Sequence, residues 1–266
     1  MSFNKAADSR ARLIQQMIPV RHLKYLRKNF DELILAYSGG TDSTLLLLIM
    51  HDYNIQPDHI VFGNTGIEYP ETVKNIHETL EKLGYLDRYT EIYPEISTRE
   101  IAQYIIEDFD KTFACSKRYD KSDYRCCYYA KEMPMKKWLQ GSGYDEDSTC
   151  ILRGLKLVDS SGRMLSGATL IETGQFYYYK YKYGKNAKCS NPIQLVTEER
   201  KSLWLPKLCE KHGVTIPDKS GCSICPIYYR YAKGEDRETA RFQIAQRFIE
   251  NNSPQLMPFY LKESQP

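Results

Sequence analysis

An α/β fold built on a doubly wound, mostly parallel sheet is predicted by two features of this 266-residue chain. Short apolar runs alternate with helical stretches through its first half, and the first run passes through a glycine-containing turn directly into a helix. That run is Leu33-Ile34-Leu35-Ala36-Tyr37, short and continuously apolar as buried parallel strands are. The turn is Ser38-Gly39-Gly40-Thr41-Asp42-Ser43, and from Ser43 a helix continues without a breaker through Leu45 and Met50 to about Asn54.

The remaining elements follow in order. Residues 1 to about 30 read as a helical lead-in, with Ile14, Met17, Ile18, His22, Tyr25 and Leu26 at near-helical spacing. His59 to Thr65 reads as a second strand, and Pro70 opens a helix that stops at Gly84, with proline at the start and glycine past the end. Tyr89 to Tyr93 is a third strand and Ser97 to about Asp108 a further helix. Lys111 to Asp123 is polar and reads as loop, Cys126 to Leu139 as a helix interrupted near Pro134, and Thr149 to Leu155 as another buried strand. Tyr177 to Tyr183 alternates tyrosine and lysine at strand period, and with Leu170 to Gly174 before it predicts a Tyr/Lys-rich hairpin. Helices are expected over Glu198–His212 and from about Glu238 to Asn251, followed by a proline-bearing tail.

Composition narrows the function classes. No apolar run is long enough to span a bilayer and the N-terminus lacks a signal peptide's apolar stretch, so the chain is expected to be cytoplasmic with no membrane partner. A net charge of +3 is too small to argue for nucleic acid by itself. Eight cysteines in such a chain point to metal binding before disulfides. Cys126 and Cys127 are adjacent, and Cys222 and Cys225 form a C-x-x-C pair. Four thiols of this kind suit either Zn²⁺ or an iron–sulfur cluster, while Cys115, Cys150, Cys189 and Cys209 stand alone in the sequence.

The turn after the first strand carries the chemistry. Such a turn aims successive backbone N–H groups, two hydroxyls and the positive end of a helix dipole at one point, which is a phosphate site. The spacing matches neither a Walker A loop nor a dinucleotide fingerprint. A plain glycine turn, with Ser and Asp as helix caps, is the alternative; the strand before and the helix after favour the phosphate.

Ser38-Gly39-Gly40-Thr41-Asp42-Ser43 resembles the pyrophosphate loop of the N-type ATP pyrophosphatases. Asn64-Thr65-Gly66-Ile67-Glu68-Tyr69-Pro70-Glu71-Thr72 resembles a segment near the adenine in the phosphoadenosine-phosphosulfate reductase branch of that superfamily; by itself it reads as a proline-opened helix. Gly154-Leu155-Lys156-Leu157-Val158-Asp159-Ser160-Ser161-Gly162-Arg163 is similar to the branch's phosphate-contacting segment, with Lys156 for Arg and Asp159 for Glu. Lysine keeps the charge and loses the bidentate fork. The Cys126-Cys127 and Cys222-x-x-Cys225 pairs resemble those that hold a [4Fe–4S] cluster in iron–sulfur members of the branch, a reading preferred over zinc because adjacent cysteines are awkward for one tetrahedron. The resemblance covers about residues 32 to 232.

The resemblance implies an adenine nucleotide alpha hydrolase-like fold: a lead-in over 1–30, the nucleotide-binding domain over 31–165, a hairpin and cluster-completing segment over 166–240, and a C-terminal helix and tail over 241–266. It implies that Ser38, Gly39, Gly40, Thr41, Asp42, Ser43, Asn64, Thr65, Gly66, Gly154 and Ser160 bind ATP with Mg²⁺. Ser38, Asp42, Ser43, Lys156 and Arg163 are then the expected catalytic set. Reductases of the branch carry a nucleophilic cysteine in a C-terminal segment, and no cysteine follows Cys225 here, which disfavours sulfonucleotide reduction. The ATP-pyrophosphatase components of bacterial DNA phosphorothioation systems, of the Dnd and Ssp types, are the closest in kind. They imply a DNA backbone phosphate as acceptor, tRNA less so, with a cysteine desulfurase as sulfur donor, other modification-system subunits as partners and a homodimer as one assembly. An assimilatory adenylyl-sulfate or phosphoadenylyl-sulfate reductase and a nucleotide-binding accessory protein without catalysis are the alternatives. The tyrosine-lysine ribbon offers stacking faces and cations to nucleic acid, but an edge hairpin that buries its tyrosines is preferred.

Overall fold

A computed structural model describes residues 18–114, 125–157, 177–181, 184–215, 220–225, 240–252 and 254. Its strands are β1 (Glu32–Ala36), β2 (His59–Gly63), β3 (Tyr89–Ile92), β4 (Thr149–Arg153), β5 (Tyr179–Lys180) and β6 (Lys188–Ser190). Its longer helices are α1 (residues 18–29), α2 (Thr41–Asp52), α3 (Pro70–Leu83), α4 (Thr98–Ala114), α5, α6 (Glu198–His212) and α7 (Ala240–Asn252). Here α5 is the continuous run of Arg125–Cys127, Tyr128–Glu132 and Met133–Gly141.

One six-stranded sheet has the order β3-β2-β1-β4-β6-β5. β1 pairs parallel to β2 on one side and β4 on the other, β4 pairs parallel to β6, and β5 closes the edge antiparallel to β6. The predicted doubly wound, mostly parallel α/β sheet is the one that forms. Strand order reverses at β1 and β4, so the crevice beyond their carboxyl ends is the place where a ligand fits such a sheet. Ala36 is in register with both Val61 and Arg153, which brings the ends of β1, β2 and β4 level.

Burial explains these elements. Leu33, Ile34 and Leu35 of β1, and Cys150, Ile151 and Leu152 of β4, have no exposed surface, as central parallel strands require. α2 buries every residue from Ser43 to Met50, because it is apolar all round and lies in the core. α3 is amphipathic instead, burying Thr72, Ile76, Thr79, Leu80 and Leu83 at helical spacing.

Among the described residues, those within 1–62, 71–90 and 139–220 make one compact unit and those within 63–70, 91–138 and 221–266 a second. The first has a core of α1, β1, α2, α3, β4 and α6 side chains, including Leu23, Leu46, Ile76, Leu152 and Leu205. The second has its own, in which Ile101 and Ile105 of α4, Cys126 and Ala130 of α5, Ile224, and Phe242, Ala245 and Ile249 of α7 pack together.

Three expectations are corrected. α4 continues to Ala114 instead of ending near Asp108, since no glycine or proline intervenes; Lys111 is therefore helical and not loop. α5 is not broken at Pro134. It carries a π-helical segment over Tyr128–Glu132 just before that proline, whose missing N–H leaves the preceding turn short of one donor. Among the described residues the tyrosine-lysine strand spans Tyr179–Lys180 and pairs with β6, a later strand; Leu170 to Gly174, its expected partner, lies outside the described residues.

The described tyrosines of the tyrosine-lysine segment are engaged by other side chains. Tyr177 stacks on Tyr25 with ring centroids 4.1 Å apart, Tyr178 meets Phe30 edge-on, and the Tyr179 hydroxyl accepts from Asn191 and Arg153. Behind them, the buried His22 donates from Nε2 to the Tyr177 carbonyl at 2.7 Å, and the Ser190 hydroxyl donates to the same oxygen. Burial pulls the His22 pKa down from 6.5 to about 4, against the lift from that hydrogen bond.

Two outcomes follow from this packing. A Cβ at Gly154, just past β4, would stand 2.7 Å from the backbone N of Ser43, so Gly154→Ala is expected to lower the melting temperature measured by calorimetry, at a cost of about 1–3 kcal/mol. For His22 the unfolded chain binds the extra proton between pH 6.5 and about 4, so stability falls as pH drops through that window. Denaturant titrations at pH 7 and pH 4 should show the wild type losing roughly 3 kcal/mol more than His22→Gln.

Candidate active site

The loop after β1 lies in the first unit. Tyr37 donates its backbone N–H to Val61 and its hydroxyl contacts Thr44 Oγ1 at 3.0 Å, which ties the strand end to the first turn of α2. Gly39 follows with φ of +68°, and a Cβ there would stand 2.6 Å from Ile76. Only glycine combines that dihedral with that lack of space. Gly40 is the N-cap residue of α2, and no side chain caps the helix. Ser38 and Asp42 are therefore not cap residues, and the first-turn N–H groups of α2 face the crevice without an intrahelical acceptor.

Hydroxyls converge on the same spot. Ser38 Oγ is 3.0 Å from Ser43 Oγ, Ser43 donates to the Gly40 carbonyl at 3.1 Å, and Ser220 donates to Ser38 Oγ at 3.2 Å. Ser220 also lies against Gly40, where a Cβ would meet its Oγ at 2.5 Å.

Charge is concentrated beside this loop. Lys156 has no exposed surface, and its Nζ lies 3.4 Å from Asp42 Oδ1 and pairs with Glu198 Oε1. Lys201 Nζ lies 3.1 Å from the same Asp42 oxygen, 2.8 Å from Glu198 Oε2 and 3.4 Å from Thr41 Oγ1. Two ammonium groups thus flank the loop's one carboxylate. An ammonium ion is buried only where anions answer it, so this network is a cradle in which polyphosphate oxygens can replace carboxylate oxygens.

Of the expected site residues, Ser38, Gly39, Gly40, Thr41, Asp42, Ser43, Gly154 and Lys156 belong to this unit, and Gly154 and Lys156 are brought to the loop by β4. Ser160 and Arg163 lie outside the described residues. Sequence reading missed Glu198, Lys201 and Ser220. Glu198 and Lys201 occupy the first turn of α6, capped by Thr197, whose side chain accepts from the Arg200 N–H. The signal that would have found them is a strand just before that helix, and β6 is only three residues long.

Asn64, Thr65 and Gly66 lie in the second unit with the four cysteines. Asn64 Oδ1 accepts from the Gly66 N–H at 2.8 Å, and Thr65 Oγ1 donates to Glu68 Oε1 at 3.1 Å and lies 3.7 Å from Cys222 Sγ. The C-x-x-C turn is clamped to this segment: Ser223 donates its N–H to the Ile67 carbonyl at 2.9 Å, and Tyr69 donates to the Ser223 carbonyl at 3.1 Å. Glu68, almost fully buried, also pairs with Lys131 at 3.2 Å.

Cys126, Cys127, Cys222 and Cys225 line one small cavity with Ile101, Ile105, Ala130 and Lys131. Desolvation pulls the Lys131 pKa down, but Cys222, Glu68, Cys127 and Cys225 outweigh it and hold the ammonium charged. Burial pushes the Cys222 thiol up to about 11, with Lys131 opposing. Among the described residues, no three His, Cys, Asp or Glu side chains are gathered tightly enough to grip a single metal ion. The donor set, four thiols from two segments against apolar walls, fits a cluster whose irons each take one thiolate. Cys150, Cys189 and Cys209 are buried in the first unit, and desolvation raises the pKa of each, so they pack as small apolar groups. No helix of the described residues is long and apolar enough to cross a membrane.

Comparison with known proteins places this geometry in a family. The family model described as the phosphoadenosine phosphosulfate reductase domain matches residues 32–175. No curated protein matches the chain. Among solved structures, the phosphoadenylyl-sulfate reductase of Candida auris in its phosphate complex is 14% identical, over 81% of this chain and 89% of its own, with a TM-score of 0.48. The U34-tRNA thiolase of Methanococcus maripaludis with its [4Fe–4S] cluster is 14% identical, over 93% of this chain and 78% of its own, with a TM-score of 0.47. The NMN synthetase of Francisella tularensis is 11% identical, over 95% of this chain and 98% of its own, with a TM-score of 0.45. The family match spans more than half of the residues, from β1 past the Lys156 segment, and the chain belongs to the phosphoadenosine phosphosulfate reductase domain family.

Proposed function

We propose that this protein is a cytoplasmic ATP pyrophosphatase that adenylates a nucleic-acid acceptor for sulfur insertion. The DNA backbone phosphate is the favoured acceptor and tRNA the second. The observation that carries this reading is the loop after β1: an uncapped helix N-terminus, clustered serine hydroxyls and two lysines shared between Asp42 and Glu198. A polyphosphate with its own Mg²⁺ matches that set. Its oxygens take the N–H groups, Ser38, Ser43, Lys156 and Lys201, and Asp42 holds the cation.

In this reaction an acceptor phosphate oxygen attacks the α-phosphorus of ATP, the bond to the β-phosphate oxygen breaks and pyrophosphate leaves. The acceptor oxygen is then a leaving group: persulfide sulfur from a cysteine desulfurase, reduced to hydrogen sulfide by a dithiol that becomes its disulfide, forms the S–P bond at the acceptor phosphorus as the P–O bond to the adenylate breaks and AMP departs with that oxygen. Lys156 and Lys201 neutralise the charge that grows on the departing pyrophosphate, and Arg163 is assigned to the same task. Gly154 keeps the backbone after β4 close enough for Lys156 to reach. A [4Fe–4S] cluster, when bound by Cys126, Cys127, Cys222 and Cys225, supplies a carrier for inorganic sulfur. The other subunits of a modification system and a second copy of this chain are the proposed protein partners.

Sulfonucleotide reduction is the second reading, favoured by the family match itself. The two separate by their products, since reduction releases sulfite from an adenylyl sulfate, requires a redoxin and consumes no ATP.

Purified protein given ATP and Mg²⁺ is expected to release pyrophosphate, and Asp42→Ala to cut that rate by about a hundredfold or more. Sulfite release in place of pyrophosphate refutes the first reading. Anaerobically purified protein should hold about four iron and four sulfide per chain with a broad visible absorbance band, and Cys222→Ser should lose both. Stoichiometric zinc without sulfide would overturn the cluster.

A further inference from the structure

A cavity of about 340 Å³ opens in the second unit at the end of β3, lined by none of the residues assigned above. Tyr93, Trp138, Met133 and Pro134 form its walls, and Glu95 and Lys137 stand among its lining residues. The volume is that of a small-molecule site. Flat aromatic faces with a thioether beside them suit a planar ring, which stacks on the faces and touches the polarisable sulfur at its edge.

The aromatic wall is held in place although it is exposed. Tyr93 keeps 58% of its surface accessible, yet its hydroxyl is hydrogen-bonded to Glu91, which in turn accepts from Asn64 Nδ2. Asn64 also donates its backbone N–H to the Ile92 carbonyl at 2.9 Å, which sets the ends of β2 and β3 side by side. A large aromatic left open and oriented through two polar partners is preorganised for a ligand.

Charge at the cavity selects the kind of ring. Lys137 and Glu95 form an ion pair in which both side chains remain about half exposed or more. Such a pair contributes little stability, so Lys137 exchanges its carboxylate for a phosphate at small cost. A cationic ring is not favoured, because the one carboxylate in the lining is already neutralised by Lys137.

We propose that this cavity binds a nucleobase of the acceptor strand, stacked between Tyr93 and Trp138, with Lys137 on the adjoining backbone phosphate. The inference deepens the nucleic-acid acceptor reading above and rests on it. It gives the protein a hold on one base next to the phosphate that is to be modified.

The test uses full-length protein carrying Trp204→Phe, so that Trp138 is the only indole. Single-stranded DNA and RNA oligonucleotides of one sequence are titrated against it, together with abasic strands of equal length. Quenching of Trp138 by a base-bearing strand of either kind, with binding about tenfold weaker for the abasic strand and about tenfold weaker in Tyr93→Ala, supports the site. Equal affinity for abasic and base-bearing strands, no quenching by either kind, or unchanged binding by Tyr93→Ala overturns it. Tyr93 is a surface residue, so its variant is expected to fold, which circular dichroism checks. Pyrophosphate release from ATP alone is measured on the same samples and should be unchanged in Tyr93→Ala. A protein that binds the strand but releases no pyrophosphate refutes the ATP chemistry and leaves the base site standing.

Discussion

The backbone of Gly154 lies against the backbone of Asp42 and Ser43, so close that a methyl group has no room, and the candidate site depends on this approach. It occurs where β1 and β4 are adjacent and strand order reverses, so two loops far apart in sequence leave the sheet side by side. Two residues after Gly154, Lys156 is carried under the loop and loses all contact with solvent. A lysine in that position keeps its charge only among anions. Asp42 and Glu198 supply them in this structure, and a polyphosphate supplies them in the proposed reaction.

The same economy of backbone appears in the second unit. Residues 65–69 and 222–225 are clamped together by Ser223 on Ile67 and Tyr69 on Ser223, which fixes the C-x-x-C turn. The π-helical turn ahead of Pro134 falls between Cys127 and the rest of α5, and Lys131 within it reaches Glu68. One ammonium group thus serves a buried carboxylate and three thiols at once, an arrangement suited to thiolates that bear negative charge. Ile101, Ile105, Ala130 and Ile224 form an apolar wall beside the sulfurs, of which Cys126 is buried and the other three are partly buried.

The loop site and the cysteine site are therefore built by different means. The first uses N–H groups and hydroxyls fixed by β1 and α2, with lysines recruited from later strands and helices. The second uses side chains held by an independent hydrophobic cluster. The tyrosine-lysine segment serves neither in its described part: Tyr177 and Tyr178 are occupied by Tyr25 and Phe30, and Lys180 guards the short edge strand β5.

Local signals were sufficient for the central sheet and the helices beside it. The apolar run of β1, the glycine turn and Pro70 at the start of α3 each act within a few residues, and each lies where reading the chain puts it. Where the signal was local but competing, the reading slipped, as with α4 past Asp108 and the π turn before Pro134. Glu198 and Lys201 were invisible because the strand that leads to their helix, β6, is three residues long and joins the sheet by pairing with β4 and not by its own composition, and Ser220 because it lies in no helix or strand. The sequence alone determined the glycine turn after β1 and the two cysteine pairs, since backbone dihedrals and thiol spacing are short-range properties. Tertiary structure alone decided which lysine is buried, which carboxylates answer it and what partner the tyrosine strand takes, because desolvation and ion pairing depend on neighbours supplied from other elements of the chain.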